Sequence, residues 1–171
     1  MDRNLEEIIA DWPKNPQDSA RRLVEYYGPP DEYTASQLVW HHTKDGWKRT
    51  VLSKEETRHD FPASHTDYLE QSIDYKVPVP LYSALAQFDG SVVADRTKGE
   101  LTARCGGTSM NFVAINLAND IVTGSRTVEE ARNEYTRLYR AYQQGEKPPY
   151  TQAFQFPVPR GGTGDPDKAT L

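Results

Sequence analysis

The chain is poor in cysteine, in long apolar segments and in clustered basic residues, and each deficit excludes a class of protein. Its single cysteine, Cys105, excludes an internal disulfide and a cysteine-rich zinc site. No segment approaches the roughly 18 apolar residues that a membrane-spanning helix needs. The 20 Lys and Arg residues against 25 Asp and Glu residues give a formal net charge of -5, without a basic run that could follow a phosphate backbone. We therefore expect no nucleic-acid partner and no membrane partner.

The same composition indicates a soluble protein located in the cytoplasm. The N-terminal residues are acidic and contain no apolar core of signal-peptide length. A lone cysteine also fits a reducing compartment. With 171 residues, the chain is long enough for one domain that folds without a disulfide or a metal. We predict a single domain at residues 1–149 and an extended Pro/Gly-rich tail at residues 150–171.

One helix-length segment is apolar enough to lie in the middle of the domain. Residues 106–124 read GGTSMNFVAINLANDIVTG, and the apolar side chains cover most of the helix circumference. An all-round apolar helix is a buried helix. Thr108 or Ser109 is the predicted N-cap, and Gly124 is expected in the left-handed conformation at the other end. We expect the rest of the chain to pack around this helix.

The segments around the buried helix predict an α+β fold with a mainly antiparallel sheet. In chain order we predict two helices, a hairpin at 37–53, a strand at 69–77, a short helix at 81–88, a hairpin at 91–105, the buried helix, and an amphipathic helix opening with the capping box of Thr127 and Glu130. The sheet should contain about five strands, two hairpins plus one strand. The buried helix and the amphipathic C-terminal helix should pack on it.

The first predicted hairpin turns at Asp45-Gly46, the strongest short hairpin signal in the chain. A two-residue turn there would pair Trp40 with Val51 and would leave both faces of the sheet partly apolar. The polar residues 54–67 that follow predict a connecting loop of about fourteen residues. Loops of this length in compact domains are often functional, so this loop is a candidate for carrying a site.

One candidate site surrounds Cys105, at the predicted start of the buried helix. The thiol is followed by Gly106, Gly107, Thr108 and Ser109. Free backbone N–H groups and the positive end of a helix dipole favour an anion at such a position and activate a thiol. Cys105 is therefore a candidate nucleophile, and the four residues after it are candidate ligand-binding or anion-binding residues. The alternative is that Cys105 is a small buried apolar residue.

A second candidate site lies in the polar segment. His59, His65 and Asp67 offer two imidazoles and a carboxylate, which zinc, iron and nickel take as ligands, although the spacing matches no specific metal motif. No cofactor is predicted apart from a divalent metal at these residues. The same side chains could instead serve acid–base chemistry or only hydrogen-bond the backbone. If Cys105 approached a histidine with Asp67 orienting the ring, then Cys105, His65 and Asp67 would be the catalytic set of a thiol-dependent hydrolase or transferase.

The C-terminal tail provides the third candidate site. Tyr150, Phe154 and Phe156 are large apolar side chains in a segment with several prolines and glycines, and we predict them as partner-binding residues. The tail could lie along its own domain, or reach a protein partner or a second copy in a homo-oligomer. Without a catalytic motif of specific spacing, the sequence favours a non-enzymatic interaction module or accessory subunit. The alternative is a small-ligand-binding protein or an enzyme that uses the thiol and histidine residues described above.

Overall fold

Residues 4–171, which the computed structural model describes, form an α+β fold, as predicted. The five α-helices of this part of the chain are α1 (Leu5–Ile9), α2 (Lys14–Tyr27), α3 (Tyr82–Phe88), α4 (Thr108–Thr123) and α5 (Val128–Gln143). Its six strands are β1 (Glu32–Tyr33), β2 (Gln37–His41), β3 (Arg49–His59), β4 (His65–Asp74), β5 (Val92–Asp95) and β6 (Glu100–Cys105). Short 3-10 turns lie at Val79–Leu81 and Pro149–Thr151.

The strands form one antiparallel sheet in the order β1-β2-β3-β4-β6-β5. Cross-strand pairs join Leu52 to Leu69 and Leu69 to Cys105. Because paired residues point to the same face of a sheet, these three buried side chains share a face, and the helices pack on it. The opposite face carries the pair of Glu70 and Arg104, which are both partly exposed. The sheet therefore has one apolar face under helices and one polar face in contact with solvent.

Two apolar clusters fill the space between the sheet and the helices. The larger cluster surrounds α4, whose Val113, Ile115 and Leu117 have no exposed surface. The smaller cluster joins α1 and α2 to the first strands through residues such as Ile9 and Leu38. Helix α4 contacts both β6 and α5. These contacts are the physical reason that α4 needs apolar residues around most of its circumference.

The ends of α4 and α5 follow their sequence signals with one exception. Gly124 has the expected left-handed conformation, with φ of 79°. Thr127 and Glu130 form the predicted capping box of α5. The predicted N-cap of α4 is wrong, because Gly107 takes that position and no side chain among residues 4–171 caps it. The first N–H groups of α4 therefore have no partner within the helix.

The first hairpin has a different register from the predicted one. Trp40 pairs with Thr50 instead of Val51. The turn explains the shift, because it contains the three residues Lys44, Asp45 and Gly46 instead of two: Thr43 N–H donates to the Trp47 carbonyl, and Gly46 is left-handed, with φ of 101°. Leu52 therefore joins the apolar face and Val51 turns to the polar face. The predicted assignment of residues to the two faces was wrong at this hairpin.

The predicted long loop at 54–67 is also wrong. Strand β3 continues to His59 and β4 begins at His65, so residues 60–64 alone connect them. The register is irregular in the middle of β3, which breaks the alternation of apolar and polar residues that would reveal a strand. His59 and His65 are consequently cross-strand partners at the end of this hairpin.

The C-terminal tail lies on its own domain. The ring of Phe154 is centred 4.7 Å from that of Trp47 and 4.9 Å from that of Phe112. Tyr150 donates a hydrogen bond to a buried carboxylate on α4, and Phe156 packs against Phe154. All three of the predicted partner-binding residues thus contact this chain. Their role toward a partner stays a prediction.

Candidate functional site

Three neighbouring strands bring the candidate thiol and histidine residues to one end of the sheet. His59 ends β3, His65 begins β4 and Cys105 ends β6. Strand β4 lies between the other two, and its register pairs His65 with His59 and Leu69 with Cys105. The antiparallel order therefore gathers side chains that are far apart in the sequence.

The first contact in this cluster joins the thiol of Cys105 to the ring of His65. The sulfur Sγ lies 3.5 Å from Nε2, within hydrogen-bond reach for sulfur. The other ring nitrogen, Nδ1, lies 2.8 Å from the carbonyl oxygen of Ala63. Since a carbonyl only accepts hydrogen bonds, Nδ1 carries a proton and donates it. Nε2 is then the nitrogen that can exchange a proton with the sulfur.

Asp67 lies beside this pair, and its carboxylate contacts both histidines. Oδ1 is 2.9 Å from His65 Nε2, and Oδ2 is 3.3 Å from His59 Nδ1. Oδ2 also accepts a hydrogen bond from Ser91 Oγ. The side chain is fully buried, yet Oδ1 has no hydrogen-bond partner among residues 4–171, because the short contact with His65 is not aligned as a hydrogen bond. A buried carboxylate oxygen is thus left unsatisfied at the centre of the cluster.

Three further residues complete the cluster, and the sequence analysis did not assign them to it. Asp89 Oδ1 lies 3.6 Å from His59 Nε2, and Arg104 Nε lies 3.9 Å from Asp67 Oδ2. Ser91 and Asp89 come directly before β5, which is two strands away from β4. No motif or spacing links them to the histidines. For Arg104, the one sequence signal was its position beside the cysteine.

The contacts move the proton affinities of His65 and Asp67 in opposite directions. The Asp67 carboxylate, followed by the Cys105 sulfur, raises the pKa of His65 well above its usual range. Burial disfavours the ionised form of Asp67, but the contacts with His65 and Ser91 outweigh burial and lower the pKa of Asp67. Burial raises the pKa of Asp89. At neutral pH the cluster therefore holds an imidazolium next to a carboxylate.

A cavity of about 610 Å³ opens beside the cluster, between the start of α4 and the helices α2 and α5. Cys105 and His65 lie on its wall, and so do the four predicted anion-binding residues Gly106, Gly107, Thr108 and Ser109. The N–H groups at the start of α4 have no partner within the helix, and the helix dipole favours an anion at this wall. A Cβ at Gly107 would meet no atom of the described chain within 4 Å, so the cavity reaches the backbone itself.

The remaining walls of the cavity combine aromatic and polar side chains. They include Arg22 and Tyr26 from α2, Tyr135, Tyr139 and Tyr142 from α5, Pro62 from the β3–β4 turn, and Thr151 and Gln152 from the tail. Tyr135 is buried, whereas Tyr26 and Tyr142 are exposed at the mouth. A cavity of this size, with a largely apolar wall and a few polar groups, is typical of a site for a small molecule.

The predicted metal ligands also come together. His59, His65 and Asp67 are the group of described residues whose ligand atoms are spaced for a metal ion, with one atom from each lying within 4.8 Å of the others. Two imidazoles and a carboxylate are suitable ligands for zinc or iron. The thiol pair and the candidate metal ligands share His65 and Asp67, so they are two uses of one cluster.

Comparison with known proteins identifies no relative of this chain. No protein-family model, no curated protein and no solved structure matches it. Among residues 4–171, no helix combines the length and the apolar character required to cross a membrane. Inference about function therefore rests on the cluster itself, in which a cysteine, two histidines and an aspartate adjoin a cavity of small-molecule size.

Proposed function

We propose that the protein is a thiol-dependent enzyme that cleaves or transfers an acyl group, with Cys105 as the nucleophile. The observation that carries the proposal is the 3.5 Å contact between Cys105 Sγ and His65 Nε2 on the wall of a cavity of about 610 Å³. A nucleophile beside a base that a third group orients is the arrangement of covalent catalysis. Here the Ala63 carbonyl and the Asp67 carboxylate hold His65 from two sides.

His65 carries the proton through this reaction. In the first step the thiol proton is held by Nε2, the sulfur of Cys105 bonds to the acyl carbon, the bond to the leaving group breaks, and Nε2 protonates the leaving group. In the second step water gives a proton to Nε2 and attacks the thioester carbon. The S–C bond then breaks, the acid leaves, and the proton returns to the sulfur. Asp67 stays ionised and stabilises the imidazolium.

The start of α4 can stabilise the negative charge that develops on the acyl oxygen. Its unpartnered N–H groups and its dipole act on the cavity beside Cys105. Gly106 and Gly107 keep this backbone free of side chains. A Cβ on Gly106 would lie 3.3 Å from the carbonyl oxygen of Thr66, so a larger residue there would crowd the neighbouring strand. The predicted anion-binding residues thereby take part in the same reaction.

The cavity suits a small amphipathic substrate. Its acyl group would lie at the thiol end, and an apolar or aromatic group would contact the tyrosines of α5. A thiol nucleophile stays active in a reducing compartment, so we keep the cytoplasm as the proposed location.

The interaction module is our second candidate function, after the enzyme. Its predicted contact residues, Tyr150, Phe154 and Phe156, already pack on this chain. A partner could bind these side chains only after displacing the tail, which would expose the apolar surface of Trp47 and Phe112 beneath Phe154. The tail also contributes to the cavity wall, so its position serves the enzyme as well.

Alkylation of the native protein tests the enzyme proposal, because the chain has one thiol. At neutral pH, iodoacetamide should modify Cys105 about tenfold faster in the native protein than in the unfolded chain. His65→Gln should slow this reaction by about tenfold or more, because the sulfur loses its proton acceptor. His41→Gln, which replaces an exposed histidine of β2, is the matched control and should leave the rate unchanged.

Two results would refute the enzyme proposal. The first is protection of Cys105 from alkylation until the protein unfolds. The second is an equal alkylation rate in wild type and in His65→Gln, with circular dichroism showing that the variant is folded.

A further inference from the structure

Asp67 Oδ1 stands out in the cluster, because its close contact with His65 is not aligned as a hydrogen bond. Asp67 Oδ1 is fully buried and accepts no hydrogen bond from residues 4–171. Leaving a buried carboxylate oxygen unsatisfied costs free energy, so such atoms are rare in folded proteins. Oδ1 and His65 Nε2 approach to 2.9 Å without the alignment of a hydrogen bond. Two ligand atoms directed at a common third atom would have this geometry.

The separations within the cluster fit the ligand spacing of a metal centre. Two ligand atoms at about 2.1 Å from a metal ion lie about 3.0 Å apart at right angles and about 3.4 Å apart at the tetrahedral angle. The observed separations are 2.9 Å from His65 Nε2 to Asp67 Oδ1 and 3.3 Å from His59 Nδ1 to Asp67 Oδ2. Cys105 Sγ lies 3.5 Å from His65 Nε2, but it is outside the group of ligand atoms that lie within 4.8 Å of one another.

The far nitrogens of both histidines already face acceptors. His65 donates through Nδ1 to the carbonyl oxygen of Ala63 at 2.8 Å. His59 places Nε2 at 3.6 Å from Asp89 Oδ1. Histidines that bind metals are typically oriented in this way by a carbonyl or a carboxylate at the other ring nitrogen. The two other ring nitrogens, His65 Nε2 and His59 Nδ1, therefore face Asp67.

We propose that His59, His65 and Asp67 bind a divalent metal ion of the zinc type. Metal binding then competes with the thiol chemistry, because both use His65 Nε2. The metal site does not depend on the proposed function, but this inhibition does. Two imidazoles and a carboxylate select zinc over magnesium and calcium, which prefer oxygen ligands.

Arg104 does not obstruct the proposed metal. Its Nε lies 3.9 Å from Asp67 Oδ2, and the guanidinium is partly exposed. Oδ1, the unsatisfied oxygen, is the one 2.9 Å from His65. An ion bound there would satisfy Oδ1 and would bring a positive charge to a cluster that already contains the carboxylates of Asp67 and Asp89.

Zinc titration of the metal-free protein against a chromogenic chelator tests the site. We expect one equivalent of Zn²⁺ to bind with a dissociation constant below about 1 µM. His59→Gln should weaken binding by about tenfold or more, because it removes a ligand and leaves Cys105 and His65 in place. His41→Gln is again the control, and excess Mg²⁺ should not compete. Zinc should also stop the alkylation of Cys105 in wild type, and should do so at much higher concentration in His59→Gln.

A spectroscopic measurement on the wild-type protein avoids any doubt about folding of the variants. Co²⁺ in the same site should give visible d–d absorption bands, and an excess of Zn²⁺ should abolish them. Absence of stoichiometric zinc binding, or equal affinity in His59→Gln, would overturn the metal site. Absence of the cobalt bands, or bands that persist in excess Zn²⁺, would overturn it as well. Fast alkylation of the metal-free protein would still support the enzyme in either case, and slow alkylation together with tight zinc binding would refute the enzyme alone.

Discussion

The two ends of the paired strands β4 and β6 both carry buried carboxylates, but only one end satisfies them. At the first end, Glu100 lies 2.9 Å from Lys48 and 2.9 Å from Arg49, and Asp74 lies 2.7 Å from Lys48. At the other end, Asp67 Oδ1 has no hydrogen-bond partner within the described chain. A carboxylate with its full set of cations holds a fold together, whereas an incompletely paired one reduces stability and is typical of functional sites.

The neighbours of each end explain this difference. Lys48 and Arg49 reach Glu100 with long side chains that stay partly in solvent, so neither cation is fully desolvated. The end at Asp67 instead lies next to α4 and the cavity, where two histidines approach the carboxylate more closely than Arg104 does. Histidine rings exchange protons and bind metals near neutral pH, which Lys and Arg do not. We therefore propose a structural role for Glu100 and a chemical role for Asp67.

The largest expected effects come from removing one charge at each end. Glu100→Gln should destabilise the protein by about 2 kcal/mol, because Lys48 and Arg49 lose their shared partner. It should leave the alkylation rate of Cys105 unchanged. Asp67→Asn should slow alkylation by about tenfold or more and should reduce stability by less than Glu100→Gln does. Urea unfolding and native-state alkylation measure the two quantities on the same samples.

Glu25→Gln, an exposed carboxylate on α2, is the matched control for both substitutions and should change neither quantity. If Asp67→Asn destabilised the protein more than Glu100→Gln while leaving alkylation intact, the assigned roles would be reversed. In that case Asp67 would be a structural group.

The fold could be predicted from the sequence where its signals are local. Gly124 and the Thr127/Glu130 pair mark helix ends through side chains a few residues apart, and both predictions are confirmed. The register of the first hairpin could not be predicted, because Asp45-Gly46 fits a two-residue turn as well as the three-residue turn that forms, in which Gly46 is left-handed. The second half of β3 could not be predicted, because its irregular pairing removes the alternation of apolar and polar residues that identifies a strand.

The candidate site could likewise be predicted only where its signals are local in the sequence. His59, His65 and Asp67 could be selected from the sequence because they are close in the chain and share a chemistry. The contact of His65 with Cys105 depends on the pairing of β4 with β6, which no local signal contains. Asp89 and Ser91 approach from beyond β6 for the same reason. The residue types of the site were visible in the sequence, but its assembly was not.

A smaller difference between the two ends should appear when the pH is lowered. Burial disfavours the charge of Glu100, but Arg49 and Lys48 outweigh it, and the pKa of Glu100 is lowered. Because the pKa of Glu100 is lower in the folded state, its ionised side chain stabilises the protein at pH values above its unfolded-state pKa of about 4.3. This stabilisation is lost as the pH falls through the folded-state pKa. Between neutral pH and this acid range, wild type should lose more stability than Glu100→Gln does.

Urea unfolding at a series of pH values checks this expectation. Parallel stability curves for wild type and Glu100→Gln would show that Glu100 gains nothing from its two cations. The carboxylate of Glu100 would then be no better paired than the carboxylate of Asp67.

The smallest expected effect concerns Arg104, the cation beside Asp67. Arg104 Nε and Asp67 Oδ2 are 3.9 Å apart, which is too far for a hydrogen bond, so the pair should be weaker than the closer contacts of Asp67 with the histidines. Because the guanidinium repels a second cation, Arg104→Gln should tighten zinc binding by about two- to fivefold, and added salt should reduce this gain. Arg49→Gln, at the other end of the strands, should leave zinc affinity unchanged. Weaker binding in Arg104→Gln would mean that Arg104 orients Asp67 instead of opposing the ion, and the free Oδ1 would then depend on that ion pair.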